Sequence, residues 1–395
     1  VGPSHHQCAM DSMCWLGQTR AVKLEGLRAI LAAAALLFSA RRADAAPALL
    51  PSGPLIVGYQ DWSACDVEQT VAVAQRGVNV VIWFAINLVD EDGQPSIHGG
   101  PNYTCVAEAR ATLEAQGLPS AHLVSVGGWD APHPSTAFNG TEWFEAWEAW
   151  NSALPWPFDG LDWDLEGNDI VSAPSNVFTP EVLDLVVDMS TALKRAGYVV
   201  SMVPAQSYLD VTTSAFNRSL LNAYPDFHPD FNYHGLNCYA YILAASPTDV
   251  FDIVIVQLYE SWSRAAQALQ DGVDPSIYLQ ELAEAMIAGW TVDFNDPMLQ
   301  IQGQRMVRVD ASQLVIALSF GSSDGSGKSV AFLPDSVGMA YSRASPATRP
   351  RGYGFWNIAL DYAGGPFNGT GRKVSLAAGI NGFLHVRPTN ESVLV

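Results

Sequence analysis

The stretch Phe158-Asp159-Gly160-Leu161-Asp162-Trp163-Asp164-Leu165-Glu166 decides how this chain is read. Side chains of a β-strand alternate in direction. Asp162, Asp164 and Glu166 therefore share one face, and Leu161, Trp163 and Leu165 the other. In a barrel the apolar set must meet the surrounding helices, so the acids project inward, with Glu166 nearest the C-terminal mouth. Carboxylates at alternate positions lie roughly 6.5–7 Å apart. In a poorly hydrated lumen they cannot all ionise cheaply, so at least one pKa should rise. A raised Glu near the mouth is what a general acid requires. Two other readings use the same residues. One is a solvent-exposed acidic edge, which Asp disfavours as a poor strand former. The other is a hard-metal site, since Mg²⁺ and Ca²⁺ take carboxylate ligands.

Working outward, short apolar runs alternate with helix-like segments from about Pro47 onward. Candidate strands are Leu55–Tyr59, Val78–Phe84, His122–Val126, Phe158–Glu166, Tyr198–Pro204, Phe251–Tyr259, Leu314–Phe320 and Tyr353–Trp356. Amphipathic stretches such as Cys105–Gln116, Pro180–Ala196 and Pro275–Ala288 fall between them. Such alternation means parallel strands with crossover helices, and eight units fit a (β/α)8 barrel. A doubly wound open sheet is the alternative, but no G-x-G-x-x-G or Walker loop supports it. The connection from Ser207 to Val250 is long and dense in aromatics and His, including Tyr239 and Tyr241. It is either functional rim or plain packing. Trp143, Trp147 and Trp150 follow helical spacing and read as core.

The chain carries 20 Lys plus Arg against 40 Asp plus Glu, a formal charge of −20, which argues against nucleic acid or an anionic membrane surface as partner. Residues 1–45 read as a leader and secretory signal peptide: Arg20, Lys23 and Arg28 precede an apolar run from Ala29 to Ala40, then Ala43-Asp44-Ala45. The run is shorter than the roughly 20 residues of a membrane span, so a stable membrane anchor is not expected. Residues 46–395 then form one catalytic barrel, expected to be secreted and monomeric. Sequons at Asn102, Asn139, Asn217, Asn368 and Asn390 fit a glycosylating pathway. Cys65, Cys105 and Cys238 allow one bridge and one free thiol, and Cys65 with Cys105 is the expected pair.

The acidic segment resembles the D-x-x-D-x-D-x-E signature of glycoside hydrolase family 18, the chitinase family, through Asp159, Asp162, Asp164 and Glu166. Three further matches fall at strand ends in the family's order: Ser125-Val126-Gly127-Gly128-Trp129, Gln257-Leu258-Tyr259 and Gly354-Phe355-Trp356. The resemblance implies substrate-assisted chemistry, an exception to the two-carboxylate scheme. It implies Glu166 as acid, then base, and Asp164 as partner of the substrate's acetamido N–H. Asp162 would modulate Asp164, and the Tyr259 hydroxyl would hold the acetamido oxygen. Trp356 would floor the cleavage-point sugar. Gln257, Asp159, Gly127, Gly128, Trp129 and Trp62 would complete the substrate-binding set, and Ser125 would hydrogen-bond the innermost acids. No cofactor or metal is implied.

Two departures stand out. Leu165 occupies a position where many members carry an aromatic, and Met202-Val203-Pro204 keeps two residues of a Met-Ala-Pro sequence. The short Phe320-to-Tyr353 connection leaves no room for a large insertion domain, so an open cleft is expected. The expected ligands are chitin or N-acetylglucosamine oligosaccharides. An endo-β-N-acetylglucosaminidase on N-glycans and a non-catalytic chitin-binding lectin are the rivals, the intact acids weighing against the lectin.

Overall fold

The computed structural model describes residues 50–129, 131–167, 174–219, 236–258, 263–320, 331–365 and 373–385. The signal-peptide segment, the sequons at Asn368 and Asn390, and Tyr259 lie outside them.

Eight parallel strands close on themselves. They are β1 (Leu55–Tyr59), β2 (Val80–Glu91), β4 (Ala121–Gly128), β5 (Gly160–Leu165), β6 (Val199–Met202), β7 (Ile253–Gln257), β10 (Leu314–Ser319) and β11 (Gly352–Trp356). Each pairs in parallel with its neighbours, and β1 pairs with both β2 and β11. All eight expected strands are present and the architecture is a (β/α)8 barrel. No helix among the described residues is long and apolar enough to cross a membrane.

Strand alternation sorts the apolar residues into two layers. Leu55, Val57, Val80, Ile82, Leu123, Ile255, Val315 and Ala317 fill the lumen. Val81, Val124, Leu161, Trp163, Val200, Val254 and Ile316 face the helices. Fully burying each such side chain contributes about 1.5–3 kcal/mol, so the outer layer fixes which way β5 faces. The helix Pro180–Arg195 shows how. Thr179 caps it, Pro180 opens it, and Leu183, Val186, Met189 and Leu193 are buried. Its Ser190 hydroxyl accepts a hydrogen bond from the Trp163 indole at 2.8 Å. Trp143 and Trp147 of the helix Gly140–Ser152 are fully buried, as their spacing predicts.

Two hairpins were not anticipated. Strand β2 runs past the barrel rim and turns back as β3 (Gln94–Gly99), antiparallel to it. The turn is Asp92-Gly93, both with positive φ (53° and 77°), a two-residue turn matched to strand twist. A second hairpin, β8 (Trp290–Phe294) with β9 (Gly303–Val307), precedes β10. The Cys65–Cys105 disulfide is formed, and Cys238 is free and buried.

Candidate active site

The C-terminal ends of the barrel strands gather the site. Register places Ser125 beside Asp162 and Gly127 beside Asp164 across β4 and β5. Asp162 is fully buried, and its Oδ2 accepts from the Ser125 hydroxyl at 3.0 Å and the Tyr59 hydroxyl at 3.4 Å. Burial pushes its carboxyl up to about 6, against the opposing pull of the Ser201, Ser125 and Tyr59 hydroxyls.

Asp164, one step nearer the mouth, is held well above the usual carboxylate range. Burial is the main cause, followed by the charges of Glu166 and Asp162 and a hydrogen bond shared with Glu166. Gln257, at the end of β7, opposes this by donating its amide to Asp164 Oδ1 at 2.9 Å, while also donating to the Val203 carbonyl at 2.6 Å. No cation pairs with Asp162 or Asp164 among the described residues. Three carboxyls in this setting hold at least one proton between them at moderately acidic pH. Glu166 follows the last residue of β5 and is half-buried.

An aromatic cluster adjoins Tyr59, the partner of Asp162. Trp356, at the end of β11, stands edge-on to Phe84 at 5.0 Å and tilted to Tyr59 at 6.2 Å. Phe84 in turn meets Trp62 edge-on at 4.5 Å. Trp62 is 46% exposed, a large flat apolar surface at the rim. The two glycines closing β4 allow this packing. Both take positive φ, and a Cβ on Gly128 would sit 2.5 Å from the Phe84 and Trp62 rings. A Cβ on Gly127 would meet the Asp164 carbonyl oxygen at 2.5 Å. Trp129 is half-buried against the helix-side layer rather than stacked on this cluster.

Asp159 requires correction as a substrate-binding residue. It precedes β5 at the opposite end of the strand and belongs to the helix-facing parity of Leu161, Trp163 and Leu165. Arg110 grips both its oxygens, at 2.8 and 3.0 Å, and the His122 backbone N–H donates to it at 2.7 Å. Asp159 therefore braces the barrel floor. It does not reach a ligand at the mouth.

Sequence reasoning missed the residues behind the acid strand. Tyr59 completes the Asp162 shell, and its position at the end of β1, in the inward parity of Leu55 and Val57, was the available signal. His133, Tyr208 and Tyr239 contact the backbone around Glu166. Such backbone contacts leave no sequence pattern. Among the described residues no three His, Cys, Asp or Glu side chains converge as a metal site would require.

Several solved structures share this architecture. The xylanase and alpha-amylase inhibitor protein of Scadoxus multiflorus aligns with a TM-score of 0.50 at 16% identity, over 84% of this chain and 99% of that one. Concanavalin B aligns at 0.49 and 12%, over 83% and 97%. A GH18 chitinase from Pseudoalteromonas aurantia aligns at 0.48 and 13%, over 78% and 96%. No family sequence profile and no curated protein sequence matches the chain. At such identities the likeness bears on the fold alone. Proteins named as inhibitors and as chitinases occur among these neighbours, so function must be argued from the residues at the mouth.

Proposed function

We propose that the chain is a retaining glycoside hydrolase of the family 18 type, cutting β-1,4-linked N-acetylglucosamine polymers by substrate-assisted acid catalysis. The observation that carries this reading is the graded file of carboxyls. Asp162 is sealed, Asp164 is raised by burial and by the charges of Glu166 and Asp162 on either side, and Glu166 is half-buried just past the end of β5.

In the reaction Glu166 gives its proton to the glycosidic oxygen as the C1–O bond breaks. The substrate's acetamido carbonyl oxygen attacks C1 from the opposite face, forming an oxazolinium ion. Asp164 accepts the acetamido N–H and balances the developing positive charge, and Gln257 fixes the orientation of its carboxylate. Glu166 and Asp162 together set how much negative charge Asp164 carries, because the charge of each raises its carboxyl. Glu166 then takes a proton from water as it opens the ring at C1, so the anomeric configuration is kept. Trp356 offers an apolar face for the sugar at the cleavage point, and Trp62 extends that surface outward.

A secreted setting accompanies this reading. The Cys65–Cys105 bond suits an oxidising compartment. Asn102 and Asn139 are exposed, with Oδ1 engaged in helix capping.

The test is reducing-end release from chitin oligosaccharides by the wild type beside Glu166→Gln. Loss of a general acid costs about 10²–10⁴-fold, so a fall of that size with an unchanged Tm is expected. If neither protein cleaves but both bind the sugars, the chain is a carbohydrate-binding protein on the same barrel. If neither cleaves nor binds, N-glycan cores become the substrate to try.

A further inference from the structure

From the contacts around Glu166 we infer that His133, with Tyr208 and Tyr239, forms a backbone clamp that positions Glu166 for proton transfer. This inference rests on the acid role proposed for Glu166. His133 lies on the loop after β4, and its Nε2 stands 3.1 Å from the Glu166 carbonyl oxygen. A carbonyl can only accept, so Nε2 carries the proton. On the residue before, the Tyr239 hydroxyl accepts from the Leu165 N–H at 2.7 Å and reaches the Leu165 carbonyl at 3.2 Å. On the residue after, the Tyr208 hydroxyl accepts from the Gly167 N–H at 3.2 Å. Peptide groups before, at and after Glu166 are thereby tied to side chains from three separate segments, just where β5 has run out of partners on its β6 side and reaches its last partner on β4.

The clamp is itself held. The Tyr208 and Tyr239 rings stack 7° from parallel at 6.2 Å, and Phe178 packs on both. Phe178 also carries the His133 ring at 4.5 Å. The loop bearing His133 is pinned nearby: Ser135 N–H donates to the Leu88 carbonyl at 3.0 Å, and its carbonyl accepts from the Trp143 indole at 2.8 Å. Burial lowers the His133 imidazole to about 4, so the ring is neutral across the range in which Glu166 would work. A neutral donor fixes the backbone without adding a charge that would hold Glu166 ionised.

A proton donor displaced by about 1 Å can lose as much as 10²-fold in rate. His133→Phe keeps the ring volume against Phe178 and removes the donor, whereas His133→Gln restores one. With chitin oligosaccharides as substrate, His133→Phe is expected to lower kcat about tenfold with KM within about twofold, and His133→Gln to recover most of the loss. Tyr208→Phe, which removes the acceptor for the Gly167 N–H, is expected to lower kcat about threefold and to speed exchange of that amide. Should His133→Phe fail to fold, Tyr208→Phe carries the test alone. Unchanged kcat in the folded variants, or equal loss in His133→Phe and His133→Gln, overturns the clamp while the hydrolase reading stands. A wild type that does not cleave overturns that reading first, and the clamp with it.

Discussion

Asp159 and Asp164 occupy the two ends of one strand and are treated in opposite ways. At the floor, Asp159 meets a bidentate arginine and a backbone N–H, and its partner Arg110 is itself buried on the inner face of the helix Tyr103–Ala115. Toward the mouth, Asp164 meets two more carboxyls and one amide, with no cation to balance it among the described residues. The floor converts a charge into structure by pairing it. The mouth leaves charge unpaired, so that protons move easily and a developing cation in a ligand finds a ready partner. On the proposed function, stability and catalysis are divided along a single strand, as barrel architecture leads one to expect.

That contrast can be broken by exchanging charges for neutral amides at each end. At the mouth, Asp164→Asn is expected to cost about 10²–10³-fold in kcat on chitin oligosaccharides with little change in Tm, since it removes electrostatic stabilisation present only as the reaction proceeds. At the floor, Asp159→Asn strands the Arg110 guanidinium. It should lower unfolding free energy by about 3–5 kcal/mol in urea titrations while leaving kcat of the folded fraction nearly untouched. The reverse pattern would mean that the ends have been assigned the wrong way round.

Between the two ends, Asp162 gives a pH signature. Its carboxyl is pushed up to about 6 in the folded chain from an ordinary value of 3.8, so between these values the folded state holds a proton that the unfolded state has released. Its contribution to stability is therefore present below about pH 4 and lost as pH rises through about 6, to an extent of up to about 3 kcal/mol. Subtracting the stability-versus-pH curve of Asp162→Asn from that of the wild type should reveal this downward slope, and a flat difference would show an ordinary Asp162. The smallest expected effect lies at the rim. Trp62→Ala should raise KM for longer oligosaccharides about threefold and leave kcat alone, because only binding area is removed.

How much of this was legible in advance varied by residue. The eight barrel strands were readable because a strand buried on both faces must be a continuous apolar run. Alternation within Phe158–Glu166 likewise placed Asp162 and Asp164 inward. The same alternation puts Asp159 on the outer face with Leu161, Trp163 and Leu165, where the family signature alone does not distinguish it from the inward acids. Strand β3 escaped because Gln94–Gly99 is polar, contains Pro95 and is largely exposed, although Asp92-Gly93 is a recognised hairpin turn. His133 and Tyr239 could not have been found. They act on peptide groups of the acid strand from a loop and a helix far away in sequence, and a peptide group carries no residue-type signal. The aromatic-rich connection offered two readings, rim function or plain packing, and the structure buries its Tyr239 in the core.

The most direct test of the central claim is the anomeric configuration of the first product. A chitin hexasaccharide mixed with the protein and followed by proton NMR in the first minutes should yield new reducing ends in the β form, which then relax toward the equilibrium mixture. That result requires two successive displacements at C1, the second by water on the original face, which attack by the substrate's own acetamido group supplies in the proposed scheme. New ends appearing first in the α form would contradict the account, because they would demand an inverting pair of carboxylates that this barrel mouth would have to supply in some other way.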